Sequence, residues 1–517
     1  MTSIEALYDR FGPAYRWLAA AAVMISAVAV VLSTTIVNVA IPDVMGAFGI
    51  SAVQAQWIST GFLAAMTATM LLTDWADRAF GLRTSMIVAL MVFMSGSILG
   101  GIAPNQDILT LARVIQGAAA GLVQPLSMVL LFRVFPADRR GAAMGIYGIG
   151  VVLAPALGPW IGGMLIDSFN WHYVFFLGIP FALIGITLAS LFLPTRAESG
   201  PRPGFDWSGM VILCVFLATL LNGLTNAQRL GWTSDPILLQ FAIALVAAGS
   251  FVWWETRSRK PMLDLRLFES LPFAAASVVA FVLGAGIYGS TYLVPLFVQT
   301  IQGLTPTQAG LLLMPSGTVL VLIFPIAGRL SDRLPAGLLV GGGLAIFAYS
   351  SYLTSSVNID TTFWSLAWWT VLSRIGLGFI FPSLTAASVR VLPREFMGQG
   401  SGAVNFVRQL GGAFGVNLLA VLVERRFTLH ADALTATQTY GNQTTLDLLT
   451  KVSGIVKTAG LPDFQQLPAA TLFLGRSIEI QANTLAYQDG FLVVMSVFLI
   501  ALLPTWMLHR AQKRIRD

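Results

Sequence analysis

The sequence predicts an all-α integral membrane protein: two six-helix bundles plus two inserted helices, fourteen transmembrane helices in total. Three observations predict it. First, 56% of the 517 residues are hydrophobic and only 10% are charged, against about 25% charged in a soluble domain. No fold hides that much apolar surface from water, so lipid is the solvent for most of the chain. Second, fourteen apolar runs are each long enough to cross a hydrocarbon core. Third, the chain repeats itself. Ala76-Asp77-Arg78 follows the second run, and Ser331-Asp332-Arg333 follows the tenth. Arg113 with Gly117 lies in the fourth run, and Arg374 with Gly378 in the twelfth.

The runs lie near 17–41, 52–73, 84–104, 108–132, 141–165, 172–193, 208–226, 236–254, 271–298, 307–328, 337–357, 361–389, 400–423 and 487–508. The repeat offsets, 255 and 261 residues, exceed what six spans and their loops need. Spans seven and eight account for the excess. The layout is therefore a six-helix bundle over 1–193, a connector with two inserted helices over 194–270, and a second six-helix bundle over 271–517. The first run is too long for a signal-peptide core and reads as a retained helix. Internal repeats of this kind predict a transporter whose site lies between the halves near the membrane midplane.

Basic residues set the orientation. With the amino terminus inside, cytoplasmic segments carry 21 of the 30 Lys and Arg residues, whereas the short outer loops carry only Arg229. Both termini are expected in the cytoplasm. The pI near 9.6 thus marks topology, and no nucleic-acid partner is expected. Cys214 is the lone cysteine, so there is no disulfide framework. No nucleophile–base set, phosphate loop or metal cluster appears, which argues against an enzyme, a metal site or a cofactor.

Along the chain, span one closes on a polar cluster of Ser33, Thr34, Thr35 and Asn38. Polar groups in a span usually face the bundle interior. Span two ends at Asp74, Asp77, Arg78 and Arg83, which with Asp332 and Arg333 are candidate gating charges. Span four carries Arg113, with Gln116 one turn away and Gln124 on the same face three turns on. An arginine inside the membrane is a functional candidate by default, and it is expected to face a cavity, with snorkelling to the outer edge as the alternative.

Span five reads GIGVVLAPALGPWIGG from Gly148 to Gly163. Gly150, Ala154, Gly158 and Gly162 line one face, where another helix can come close. Pro155 and Pro159 add bend points. The face serves either as a packing seam or as a hinge on which two bundles rock. Span thirteen holds Asn405, Arg408 and Gln409 on one side, and Trp57, Phe62, Tyr147, Tyr288 and Tyr292 sit in or near the spans of the expected cavity. Aromatic faces suit large apolar ligands. Residues 424–486 form a long outer loop with periodic apolar residues, which predicts short amphipathic helices and either a lid or a docking surface. All 24 carboxylates fall at span ends or in loops, Asp74 and Asp489 coming closest to the membrane. His172, His430 and His509 also lie outside the apolar cores.

The motifs LSTTIVNVAIP (32–42), LARVIQGAAAG (111–121), the Gly-rich span five, NWHYVFFLGIP (170–180), PMLDLRLF (261–268) and RQLGG (408–412) carry a resemblance. The whole chain resembles the fourteen-span drug:proton antiporter family of the major facilitator superfamily, EmrB and QacA type. Its long outer loop is closest to EmrB-like pumps. The resemblance implies the fold of that superfamily and secondary active export of hydrophobic or amphiphilic compounds across a bacterial inner membrane, driven by proton entry. It also implies a membrane-fusion adaptor and an outer-membrane channel as partners, met through loop 424–486. The chain departs from the family at three places. Ser33 stands where the family's proposed proton-coupling Asp would be. In the loop after span two, anchored on Gly81, Arg78 takes the usual Asp place and Asp74 the first Gly place. Gly178 replaces an Asn. With Ser33 beside it, Arg113 keeps its charge and is expected to pair with an anionic group on the substrate. The alternative function is a dedicated exporter of an anionic lipid or metabolite, with atypical or no proton coupling through span one.

Overall fold

The computed structural model describes residues 3–50, 52–196, 203–258, 260–390, 392–393, 396–439 and 441–516. Within them the chain is helical and contains no strand. Fourteen long helices follow the order of the apolar runs: α1 (Tyr15–Phe48), α2 (Ala52–Met70), α3 (Leu82–Gly101), α4 (Gln106–Val134), α5 (Arg140–Ser168), α6 (Gly178–Phe192), α7 (Trp207–Leu230), α8 (Asp235–Arg257), α9 (Leu271–Thr300), α10 (Pro306–Arg333), α11 (Ala336–Thr354), α12 (Phe363–Arg390), α13 (Met397–Ala436) and α14 (Asp463–Ile500). Twelve helices among the described residues are long and apolar enough to cross a membrane. The two predicted spans outside that count are α2 and α5. Gln54, Gln56, Thr60, Thr67 and Thr69 dilute the apolar content of α2, and α5 includes side chains outside the described residues. Among the described residues, length and composition therefore carry twelve crossings.

Local chemistry explains the starts and stops. Asn105 caps α4, accepting the Ile108 N–H at 3.0 Å. Thr305 and Gln308 form a reciprocal capping box at α10. Gly49, in the left-handed region at φ 63°, ends α1. Asp206 caps α7 through the Gly209 N–H at 2.9 Å.

Helices α1 to α6 pack among themselves, with α1 on α5 and α6, α2 on α4, and α3 on α4. Helices α9 to α14 form the second lobe, with α9 on α13 and α11 on α12. The inserted α7 and α8 pack as a pair, and α7 leans on α2 and α13. Both termini lie on one face. The Tyr8 hydroxyl donates to the Val134 carbonyl at the end of α4, and His509 packs on Gly337 at the start of α11. We call this the terminal face.

The segment 424–486 differs from expectation. It is not a string of short helices. Helix α13 runs unbroken to Ala436 and α14 begins at Asp463, with a helix at Gln443–Thr458 between them. Both spans therefore continue well past the membrane. The 40 residues of α13 reach ~60 Å, about twice the hydrocarbon thickness. Residues 424–436 contain neither Gly nor Pro, so nothing stops the helix at the lipid edge. The projection is pinned at its base, where Asp489 on α14 meets His430 at 2.8 Å and Arg426 at 3.4 Å, both on α13.

Candidate functional site

The first polar knot lies inside the amino-terminal lobe. Arg113 Nη1 donates to the Ser33 carbonyl and to Ser33 Oγ, each at 3.1 Å, and to Gln116 Oε1 at 2.9 Å. Its Nε donates to the Ile58 carbonyl at 3.3 Å. The guanidinium also lies 4.0 Å from the Phe62 ring centroid. Gln116 Nε2 passes the network on to Ser97 Oγ at 2.9 Å. Glycine makes this packing possible: a Cβ on Gly117 would run into the Phe62 backbone, and one on Gly96 would fall 2.9 Å from the Gln116 side chain. The knot ties α1, α2, α3 and α4 together.

Arg113 is 1% exposed. It neither faces a cavity nor snorkels outward, because neutral acceptors on α1, α2 and its own helix already hold it. Thr34 bonds its own helix, donating to the Val31 carbonyl at 2.6 Å, and Gln124 is buried further along α4. The side chains of Asn38, Pro155 and Pro159 lie outside the described residues.

The second cluster lies between the lobes. Tyr147 comes from α5, Tyr288 from α9, and Asn405, Arg408 and Gln409 from α13. Arg408 Nη2 donates to Asn405 Oδ1 at 2.6 Å, and its guanidinium sits 4.8 Å from the Phe381 ring centroid on α12. The Tyr288 hydroxyl donates to Gln409 Oε1 at 3.1 Å. The phenols of Tyr147 and Tyr288 are close enough to interact with the Arg408 charge. The Tyr147 hydroxyl is buried, with Ser127 of α4 beside it. Across the interface, Asn405 Nδ2 donates to Met128 Sδ on α4 at 3.1 Å. One cation, two amide side chains and three aromatic rings thus converge from both lobes. Tyr292 does not join them. It stands within electrostatic reach of Glu424 and Tyr487 on the rim opposite the terminal face.

Below this cluster, the terminal face is shut. Asp332, on α10, accepts the backbone N–H groups of Gly141 at 2.7 Å and Ala142 at 2.9 Å, at the start of α5. Arg390 approaches the same carboxylate at 3.8 Å. The backbones of Gly141 and Gly328 touch, as do Gly145 and the Phe324 carbonyl, leaving no room for a Cβ. On the other flank, Asp74 pairs with Arg78 at 3.0 Å and accepts from Gln399 Nε2 of α13 at 3.4 Å. Asp77 pairs with Arg133. The altered loop after span two therefore keeps a charge pair, with Asp77 holding its own lobe and Asp74 facing the other. Arg83 lies beside the connector, its N–H donating to the Pro194 carbonyl at 3.4 Å, and Arg333 is exposed on the terminal face.

The small-residue face of α5 splits into two. Gly150, Gly158 and Gly162 pack on Met24, Thr35 and Ile36 of α1, so they form a seam inside one lobe. The face that meets the other lobe is one turn upstream, at Gly141, Gly145 and Gly148. Sequence reasoning missed Phe381, Gln399 and these upstream glycines. The glycine spacing Gly141, Gly145 and Gly148 was a signal for the last. A polar residue at the head of a helix, as Gln399 is, carries no distinguishing one.

Residues 23–416 match the model of the Major Facilitator Superfamily. The chain is 29% identical over 492 residues to a "Multidrug resistance protein B homolog" of Mycobacterium tuberculosis, covering 93% of this chain and 88% of the relative. It is 31% identical over 407 residues to the "Multidrug export protein EmrB" of Haemophilus influenzae, covering 78% and 80%. In fold it is similar to a human organic anion transporter, with a TM-score of 0.63 at 14% identity, over 95% of this chain and 99% of that one.

Proposed function

The chain belongs to the major facilitator superfamily, and from that premise we propose that it exports hydrophobic and amphiphilic compounds across a bacterial inner membrane by alternating access, driven by proton entry. That it is a multi-pass membrane transporter, and not an enzyme, follows from the family. The observation that carries the finer reading is the Tyr147–Tyr288–Arg408 cluster, shared by both lobes and lying above the closed terminal face. Aromatic rings give a large apolar body a surface to lie on, and Arg408, Asn405 and Gln409 give a polar end hydrogen-bonding partners.

The 21-to-1 bias of basic residues supports cytoplasmic termini. With that orientation the shut face is cytoplasmic, and substrate leaves towards the other side. The names of two relatives, a multidrug resistance protein homologue and a multidrug export protein, support a broad substrate range. Proton entry needs a titratable group that changes surroundings between states. The reading assigns this to Asp74 at the gate, since Ser33 cannot serve. The α13–α14 projection supports docking of a membrane-fusion adaptor, and through it an outer-membrane channel. The dedicated anionic-lipid or metabolite exporter loses its main support, because Arg113 is already bonded within its lobe.

The test is export from proteoliposomes with an imposed pH gradient, read by a lipophilic dye inside and a pH indicator outside, for wild type and Ser33→Asp. Dye export coupled to proton movement in wild type is the expected result. A panel of amphiphiles with no gradient-dependent flux overturns it.

A further inference from the structure

The internal repeat places Arg113 and Arg374 at equivalent points of the two lobes, yet their surroundings differ. Arg113 is surrounded by acceptors. Arg374 is half-buried, and the one hydrogen bond it makes among the described residues is from Nη2 to Thr291 Oγ1 at 3.1 Å. It has no ion pair among them. A guanidinium carries five N–H donors, so most of its capacity is unused.

Beside it lies a cavity of about 20 Å³ enclosed by α9, α10, α11, α12 and α14. That is room for one water-sized group. Its wall carries hydroxyls from Ser290, Ser350, Ser351, Thr370 and Ser373, and no carboxylate. These hydroxyls now donate to backbone carbonyls, for example Ser350 to Trp369 at 2.6 Å and Ser373 to Thr370 at 2.7 Å. A hydroxyl proton turns about one bond, so each can be offered to an incoming acceptor. An uncompensated cation in a hydroxyl-lined, otherwise apolar cavity favours an anion over a neutral group.

We infer that the Arg374 pocket is an anion-binding subsite, holding one singly charged group between its guanidinium and the surrounding hydroxyls. The group is either a free halide ion or one oxygen of the carboxylate head of an amphiphile, the rest of which lies outside the pocket. The halide arm stands on geometry alone. The carboxylate arm rests on the export function proposed above.

The experiment uses the full-length protein in detergent and reads thermal unfolding and bromide binding, neither of which requires transport. Sodium bromide is compared with sodium gluconate at equal ionic strength, and dodecanoate with dodecanol. A rise in the unfolding midpoint with bromide over gluconate, absent in Arg374→Gln and weakened roughly tenfold in half-saturating concentration in Ser350→Ala/Ser373→Ala, establishes a halide site. Stabilisation by dodecanoate but not dodecanol, with displacement of bromide, establishes a carboxylate site. The double serine variant keeps the test decisive if Arg374→Gln does not fold. If neither bromide nor dodecanoate stabilises wild type, or if the variants respond as wild type does, the pocket holds water and the inference fails. Export failing while bromide binding survives would remove the proposed function and leave the subsite standing.

Discussion

Asp332 accepts the Gly141 backbone N–H at 2.7 Å, so a side chain of one lobe caps a helix of the other. The bond joins an anion to the positive end of the α5 dipole and exists only while the terminal face is shut. Replacing Asp332 with Ala should therefore favour the open face by roughly 1–2 kcal/mol. Spin labels placed on α5 and α10 should report a longer mean distance at the terminal face. An unchanged distribution would reduce the cap to a bystander.

Glycine at 141, 145 and 328 lets the two lobes touch backbone to backbone. Gly145→Ala or Gly328→Ala should push them apart at a cost of about 1–3 kcal/mol to the closed arrangement. The same labels would show the shift, and expression in the membrane should be near normal because each lobe keeps its own core.

Burial raises the Asp74 carboxyl above its ordinary value of 3.8, while Arg78 and Gln399 pull it back and Asp77 adds to the rise. Opening the terminal face returns Asp74 to water and to its ordinary value. Closure is thus linked to proton uptake. Its contribution to the closed state is full below the ordinary value and is lost as pH rises through the raised one. Label distances measured across that window should lengthen with rising pH in wild type and stay flat in Asp74→Asn.

Arg113 holds four helices together, so Arg113→Gln should lower the unfolding midpoint and reduce export of acidic, neutral and cationic compounds alike. Selective loss of acids would place the guanidinium in contact with substrate. Ser33→Asp should instead pair with Arg113, given the 3.1 Å contact already present, and leave the protein at least as stable.

Arg408→Ala should abolish export while leaving the unfolding free energy within about 0.5 kcal/mol of wild type, since Arg408 bonds one side chain and one ring face. A large loss of stability would make it a packing residue.

The apolar runs made the order of the helices legible, because lipid imposes one rule on every span. The site was legible in part. Tyr147, Tyr288, Asn405, Arg408 and Gln409 were named and do converge. Arg113 misled because charge in a span signals function only when no neighbour satisfies it. Its acceptors are backbone carbonyls of Ser33 and Ile58, which every residue has and no sequence pattern announces. The outer loop misled because a helix continues past the lipid edge when nothing breaks it. The role of Asp332 was hidden for a related reason, since its partners are main-chain amides 190 and 191 residues away.

One helix, α13, runs from Gln399 through Arg408 to Ala436 without a break. About 14 Å separates the first pair and about 42 Å the second, at 1.5 Å per residue. A stiff rod swinging about Arg408 moves its far tip some threefold further than its near end. A tilt small enough to shift Gln399 past Asp74 would sweep the tip through a wide arc, so whatever grips the tip holds a long lever on the opening stroke.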